Sequence, residues 1–293
     1  MARKKKEERT PELTLAEHVK LALQGDNQEE IAQLNEAYYG TNDKEICLCI
    51  PTYKTVCPVT MVALLATALR YGKERVGVHF EFGDAVIENA RNKIADKALA
   101  DGYEWLMWID DDIIPPFGRS DLVRRWTGVP PSWQDMGEME FLSRFLAQGK
   151  TVIGGLYFGR NVQGRPMYAE GCMTNGREEN IKARDINCME VNETDWVATG
   201  CMLVHRSVYE DIQKKFPEIG PKEISYTDFQ GRTVTRKQEV WDYYRKLEGC
   251  GEDVSFCFRA RESGHKVYVD HSIKCLHAGG NAWGYHNAQG GLE

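Results

Sequence analysis

Long hydrophobic runs are missing from this chain of 293 residues, and none approaches the roughly 20 apolar residues a membrane-crossing helix needs. It also lacks internal repeats and low-complexity tracts, which argues against fibrous and extensively disordered architectures. No C-x-x-C pair occurs among the nine cysteines, so the loose group Cys250, Cys257, Cys275 and His277 is a poor structural zinc site. The basic opening Met1-Ala2-Arg3-Lys4-Lys5-Lys6 has no apolar stretch behind it. No secretory signal is therefore expected, and the chain is expected to be soluble, cytoplasmic and to carry reduced thiols.

An excess of positive charge is missing too. There are 37 basic against 44 acidic residues, a net charge of −7, so the whole-chain footprint of a nucleic-acid binder is absent. Arg3, Lys4, Lys5, Lys6 and Arg9 outnumber Glu7 and Glu8 at the N-terminus. This run reads as a solvated end, with a weak electrostatic handle for a polyanion as the sharper alternative. What is present, 42% apolar and 28% charged residues, suits a globular chain with a sizeable core.

Residues 1–43 read as a helical extension. Thr14-Leu15-Ala16-Glu17 and Asp26-Asn27-Gln28-Glu29 have the form of N-terminal caps. Leu15, Val19, Ala22 and Leu23, then Ile31, Leu34 and Tyr38, mark one apolar face each. From residue 44 to 293 the pattern predicts one α/β domain with a mixed central sheet flanked by helices. A buried strand over 46–50 stops at Pro51, a helix covers 59–71, a strand 76–82 and a helix 85–99. The strand over 105–109 is apolar throughout, as expected when both faces are covered. Strands separated by such helices imply parallel pairing with right-handed crossovers, a Rossmann-like half. No G-x-G-x-x-G follows any strand, which disfavours a nicotinamide or flavin cofactor. Further on, the pattern predicts helices over 133–148, 207–215 and 254–262, and strands over 151–158, 201–204 and 266–269. Residues 160–195 read as a polar loop or small hairpins, and 216–235 as a mobile surface segment.

Four short segments carry polar chemistry. Asp110-Asp111-Asp112 follows the apolar strand, at the carboxyl end where ligands of open α/β sheets gather. Adjacent carboxylates repel, and a divalent cation relieves the repulsion; an acidic turn capping a helix is the plain alternative. Gly251-Glu252-Asp253 opens a helix whose inward face is read as Val254, Cys257 and Phe258, where the helix dipole alone already favours acids. Cys275-Leu276-His277-Ala278-Gly279-Gly280 runs from a strand end into glycines. Arg91-Asn92 sits on a helix, either solvated or facing phosphate.

Taken in order, with Ile50-Pro51-Thr52-Tyr53 after the first strand, Thr199-Gly200 before a later one and Gly251-Glu252-Asp253-Val254-Ser255-Phe256, these segments resemble the nucleotide-sugar-dependent glycosyltransferases of the GT-A fold, in particular the family 2 group. The resemblance covers roughly residues 45–280. It implies a hexosyltransferase-like enzyme using Mn²⁺ or Mg²⁺ and a nucleotide-diphosphate sugar, with a UDP-hexose the expected donor. Asp110 and Asp112 match the D-x-D pair, Asp112 being the direct metal ligand, with Asp111 near the ribose and His277 completing the metal site. Pro51, Thr52 and Tyr53 lie along the nucleotide, and Arg91 contacts base or phosphate. Asp253 matches the catalytic base of inverting members, and Glu252 positions the acceptor or the helix.

The acceptor stays open: a glycan, a protein, a small molecule or a hydroxymethylated DNA base, with the acidic balance counting against DNA. A nucleotidyltransferase acting on a sugar phosphate is the alternative enzyme. It wants a Gly-rich basic loop where this chain has Pro51-Thr52-Tyr53-Lys54. A non-catalytic nucleotide-sugar-binding module is the alternative outside enzymology, against which Asp110, Asp112, Asp253 and His277 all speak.

Overall fold

The computed structural model describes residues 45–72, 75–116, 141–157, 159, 168–169, 190–227 and 232–278. The extension predicted over 1–43, and most of the polar stretch 160–195, lie outside the described residues.

The first half alternates as its pattern requires: β1 (Ile46–Thr52), α1 (Pro58–Tyr71), β2 (Val76–Phe82), α2 (Ile87–Ala100), β3 (Trp105–Ile109) and the short β4 (Ile113–Ile114). Then follow α3 (Phe141–Ala147), β5 (Val152–Leu156), β6 (Tyr168–Ala169), β7 (Val191–Thr194), β8 (Trp196–Val197), β9 (Cys201–His205) and α4 (Arg206–Lys215). The chain continues through β10 (Lys222–Thr227), β11 (Thr233–Val240), α5 (Glu252–Glu262), β12 (Val267–Lys274) and β13 (Leu276–His277).

Seven strands form one mixed sheet in the order β2-β1-β3-β9-β5-β12-β7. β2, β1 and β3 are parallel, the Rossmann-like half expected from the alternation. β9 runs antiparallel to both β3 and β5, β12 is parallel to β5, and β7 closes the edge antiparallel to β12. Every residue of β1, and all but the first of β3, is buried, which explains why neither strand alternates with polar residues. Beneath β3, the buried Trp108 indole donates to Tyr209 Oη at 2.8 Å, and Tyr244 stacks on Phe256. Trp108 and Tyr209 thus bury their polar tips as a hydrogen-bonded pair.

Several expectations are corrected. Pro51 does not stop β1, which pairs with β2 as far as Thr52↔Phe82. The β3 partners end at Cys49↔Trp108, so Pro51 has a neighbour on one side only, the edge-like setting where a missing N–H is tolerated. The polar 160–195 stretch includes β7, an edge strand of the main sheet. The 216–235 segment includes a short 3₁₀ turn (Pro217–Ile219) and β10, which pairs antiparallel with β11. α5 starts at Glu252 and buries Phe256 and Cys257 rather than Phe258. Among the described residues the cysteines are free, and no helix is long and apolar enough to cross a membrane.

α2 also anchors the chain that leads into α5. Asn92 donates to Asp242 at 2.8 Å and accepts the Tyr244 N–H at 3.0 Å. Asp96 accepts the Trp241 N–H at 2.6 Å and the Tyr243 hydroxyl at 3.0 Å. Burial pushes the Asp96 carboxyl up to about 6, against the pull of these two donors. The folded value therefore lies above the unfolded one of about 3.9, and the folded state holds the extra proton between them. Stability should accordingly fall as pH rises from about 4 to about 6 and then level off. Urea unfolding across this range should show a shallower slope in Asp96→Asn than in the native protein; equal slopes would remove Asp96 as a contributor.

Candidate active site at the carboxyl edge of the sheet

The three aspartates after β3 turn in three directions. Asp110 donates its backbone N–H to Gly200 O at 3.1 Å, which holds the turn against the start of β9. Its carboxylate accepts from Arg91 Nη2 at 2.7 Å. Asp111 Oδ2 accepts from the Thr52 hydroxyl at 2.6 Å, and its carbonyl accepts the Cys57 N–H. Asp111 is therefore fixed to the end of β1 and the entry to α1. Asp112 is carried to His277 by the ladder of β4 and β13, in which Ile113 pairs with His277 and Ile114 with Leu276. Asp112 Oδ1 lies 3.4 Å from His277 Nε2, and the Ala278 N–H donates to the Asp112 carbonyl.

Arg91, expected to contact base or phosphate, has its side chain buried beside the aspartate turn. Its side chain is 3% exposed, with Nη1 on Glu252 Oε1 at 3.0 Å and Nη2 on Asp110. Burial works against this charge, but Asp110 and Glu252 outweigh it and hold the guanidinium above its ordinary value. Next to Glu252, Asp253 is half-buried, and its Oδ1 accepts the N–H of Val254. Burial pushes the Asp253 carboxyl up to about 6, helped by the charges of Glu252 and Asp110 and opposed by Arg91. Pro51 is buried within β1, and Thr52 is spent on Asp111. Tyr53 is 42% exposed, with Lys54 Nζ 5.4 Å from its ring centroid.

Two site residues escaped the sequence reading. Tyr157 accepts the Gly200 N–H at 3.1 Å and meets the His277 ring edge-on at 5.8 Å. Burial and the charges of Asp110 and Asp253 push its hydroxyl well above the usual tyrosine range. Its place just past β5, at the same sheet edge as the aspartates, is the signal that points to it. Tyr244 lies under the Arg91 guanidinium, 6.0 Å from ring centroid to carbon, and no local motif marks it.

The donor set can be tested against a divalent cation. Asp112 and His277 are adjacent and partly exposed, whereas Asp110 is committed to Arg91. No group of three or more His, Cys, Asp or Glu side chains poised for a metal occurs among the described residues. A carboxylate and an imidazole still fit a cation that takes its other ligands from phosphates and water, as Mg²⁺ sites commonly do. No family model matches the chain, and neither does any curated protein. Among solved structures, A197 from STIV is similar over 80% of this chain and 85% of that one, at 13% identity and a TM-score of 0.47.

Gly200 is the point where the two halves of the site touch. A Cβ there would fall 2.5 Å from Tyr157 Oη and 3.0 Å from Asp110 Oδ2, and Tyr157 is too buried to swing away. Gly200→Ala should therefore lower stability by about 1–3 kcal/mol, the usual cost of overpacking. Chemical unfolding of the variant measures this, and an unchanged midpoint would show that the edge yields to a methyl group without cost.

Proposed function

We propose that the protein is a metal-dependent glycosyltransferase that moves a hexose from a UDP-sugar to an acceptor hydroxyl with inversion. The observation that carries the reading is the separation of two kinds of acid at one sheet edge. Asp112 stands beside His277, while Asp253, half-buried and raised to about 6, stands beside Glu252. A carboxyl poised near neutral pH is suited to accept a proton.

Asp112 and His277 would hold the cation, which when bound supplies Lewis-acid stabilisation of the leaving diphosphate. Thr52 and Asp111, hydrogen-bonded at the end of β1, give the nucleotide a fixed floor, and the exposed Tyr53 ring offers a surface beside it. Asp253 takes the proton of the acceptor hydroxyl as the new bond forms. The acceptor is left open by these residues.

Two outcomes test the reading. Asp253→Asn should leave Mn²⁺-dependent UDP affinity within a few-fold while lowering sugar transfer or donor hydrolysis by about 10²–10⁴-fold. Because the base must be ionised, the native rate should fall as pH drops below about 6. His277→Ala or Asp112→Asn should instead abolish the effect of Mn²⁺ on UDP binding, read by calorimetry with EDTA as control. Near-normal transfer in Asp253→Asn would leave that residue a helix-terminal acid and nothing more.

A further inference from the structure

Three carboxylates, Asp110, Glu252 and Asp253, act on one another around a single buried cation. Arg91 divides its two terminal nitrogens between the first two, at 2.7 Å and 3.0 Å. The Tyr244 ring closes one side of the guanidinium. Its Nε is buried without a partner, so only the two outer nitrogens pair with carboxylates. Arg91 reaches Asp253 through its charge alone, without a hydrogen bond, and Asp253 Oδ1 accepts the adjacent Val254 N–H at 2.8 Å.

We infer that Arg91 is a positioning residue: by committing one nitrogen to Asp110 and the other to Glu252, it leaves Asp253 as the one carboxylate of the three to which it gives no hydrogen bond, and thereby selects it as the proton acceptor. The inference takes from the proposed function only that Asp253 carries the proton. Arg91 holds the Asp110 and Glu252 carboxylates by charge-assisted hydrogen bonds, whereas Asp253 takes none from it and faces the negative charges of both neighbours. The acceptor O–H proton passes to the Asp253 carboxylate as the acceptor oxygen bonds to the sugar, and the bond from sugar to diphosphate breaks with its electron pair leaving on the diphosphate. Arg91 touches none of the reacting atoms and acts through the placement of Glu252 and Asp110. The groups that act on Asp253 are Glu252 and Cys257 on its own helix, Arg91 from α2, Asp110 after β3 and Tyr157 after β5.

Arg91→Lys keeps the charge but cannot fork to two carboxylates. It should bind UDP with Mn²⁺ within about 3-fold of the native protein while kcat for UDP-glucose or UDP-galactose hydrolysis falls by about 10²-fold, within the general-base range. Glu252→Gln, which cuts the other end of the bridge, should give a similar loss. The double variant should be little worse than either, since residues acting as one unit are not additive. A fall in UDP affinity that accounts for the whole loss in Arg91→Lys would make Arg91 a ligand contact and overturn the inference; so would losses that multiply in the double variant. A second readout needs no nucleotide. Carboxyl ¹³C NMR, with Asp253 assigned by its absence in Asp253→Asn, should show the Asp253 midpoint rising above its native value in Arg91→Gln. If Arg91→Gln does not fold, the same midpoint should move down in Glu252→Gln, which removes the neighbouring negative charge but keeps Arg91. A midpoint that stays in place overturns the inference whatever the kinetics show. Native protein that neither binds UDP with Mn²⁺ nor hydrolyses a UDP-hexose would overturn the glycosyl-transfer reading, and the Asp253 midpoint would still decide the role of Arg91.

Discussion

The ends of β3 and β5 lie beside the first residue of β9 because β9 runs against both: Ile109 pairs with Cys201, and Gly154 with Met202. Were β9 parallel to its neighbours, Thr199-Gly200 would stand at the opposite edge of the sheet. The reversal instead puts Gly200 where it receives the Asp110 N–H on its carbonyl and gives its own N–H to Tyr157. A side chain at that position would strike both partners, so the topology and the glycine are one requirement. The aspartate turn and Tyr157 both bond to Gly200 in this contact, and Tyr157 then meets the edge of His277, which the β4–β13 ladder holds.

α2 supplies the second constraint, from below. Arg91 and Asn92 are adjacent, and Asp96 follows just over a turn later, so one helix presents a cation, an amide and an acid to the same neighbourhood. Asn92 and Asp96 fix residues 241–244, which seats Tyr244 beneath Arg91. The chain then enters α5 through Ser255, whose hydroxyl donates to Gly251 O at 2.6 Å and accepts the Leu247 N–H at 2.9 Å. The first turn of α5 is thus tied to α2 twice, by the Arg91–Glu252 pair and by the 241–247 path. The acids there are consequently more than complements of a helix dipole, because Glu252 answers a specific buried charge.

Much of this was legible in the sequence for a physical reason. β1, β2 and β3 were readable because strands buried on both sides become short apolar runs, and α2 because its alanines and Ile94 fall at helical spacing. β7 and the β10–β11 hairpin were not, since Val191-Asn192-Glu193-Thr194 is an edge strand and the hairpin sequence is mostly polar. The acids and His277 could be picked out because carboxylates after an apolar strand are unusual enough to notice. Their pairing could not: Arg91 is 19 residues from Asp110 and 161 from Glu252, and no local pattern encodes such contacts. An arginine on a helix reads equally as a solvated cation, a phosphate ligand or a buried bridge until the chain is folded.

The same limit explains why Asp110-Asp111-Asp112 looks uniform in sequence and is divided in the fold. Three identical side chains in a row must point apart, and each then meets a different element: α2 through Arg91, β1 through Thr52, and β13 through His277. Their environments differ accordingly. Asp110 and Asp112 are about equally open, at 29% and 24%, and the difference lies in their partners: the Arg91 side chain keeps 3% of its surface and His277 13%. A buried guanidinium is a permanent counter-ion, since it cannot be deprotonated and is costly to expose. His277 is a partly open imidazole that faces Asp112 at 3.4 Å. The motif therefore combines a buried electrostatic anchor at Asp110 with a more open pair at Asp112, the first held against the start of β9 and the second by the β4–β13 ladder.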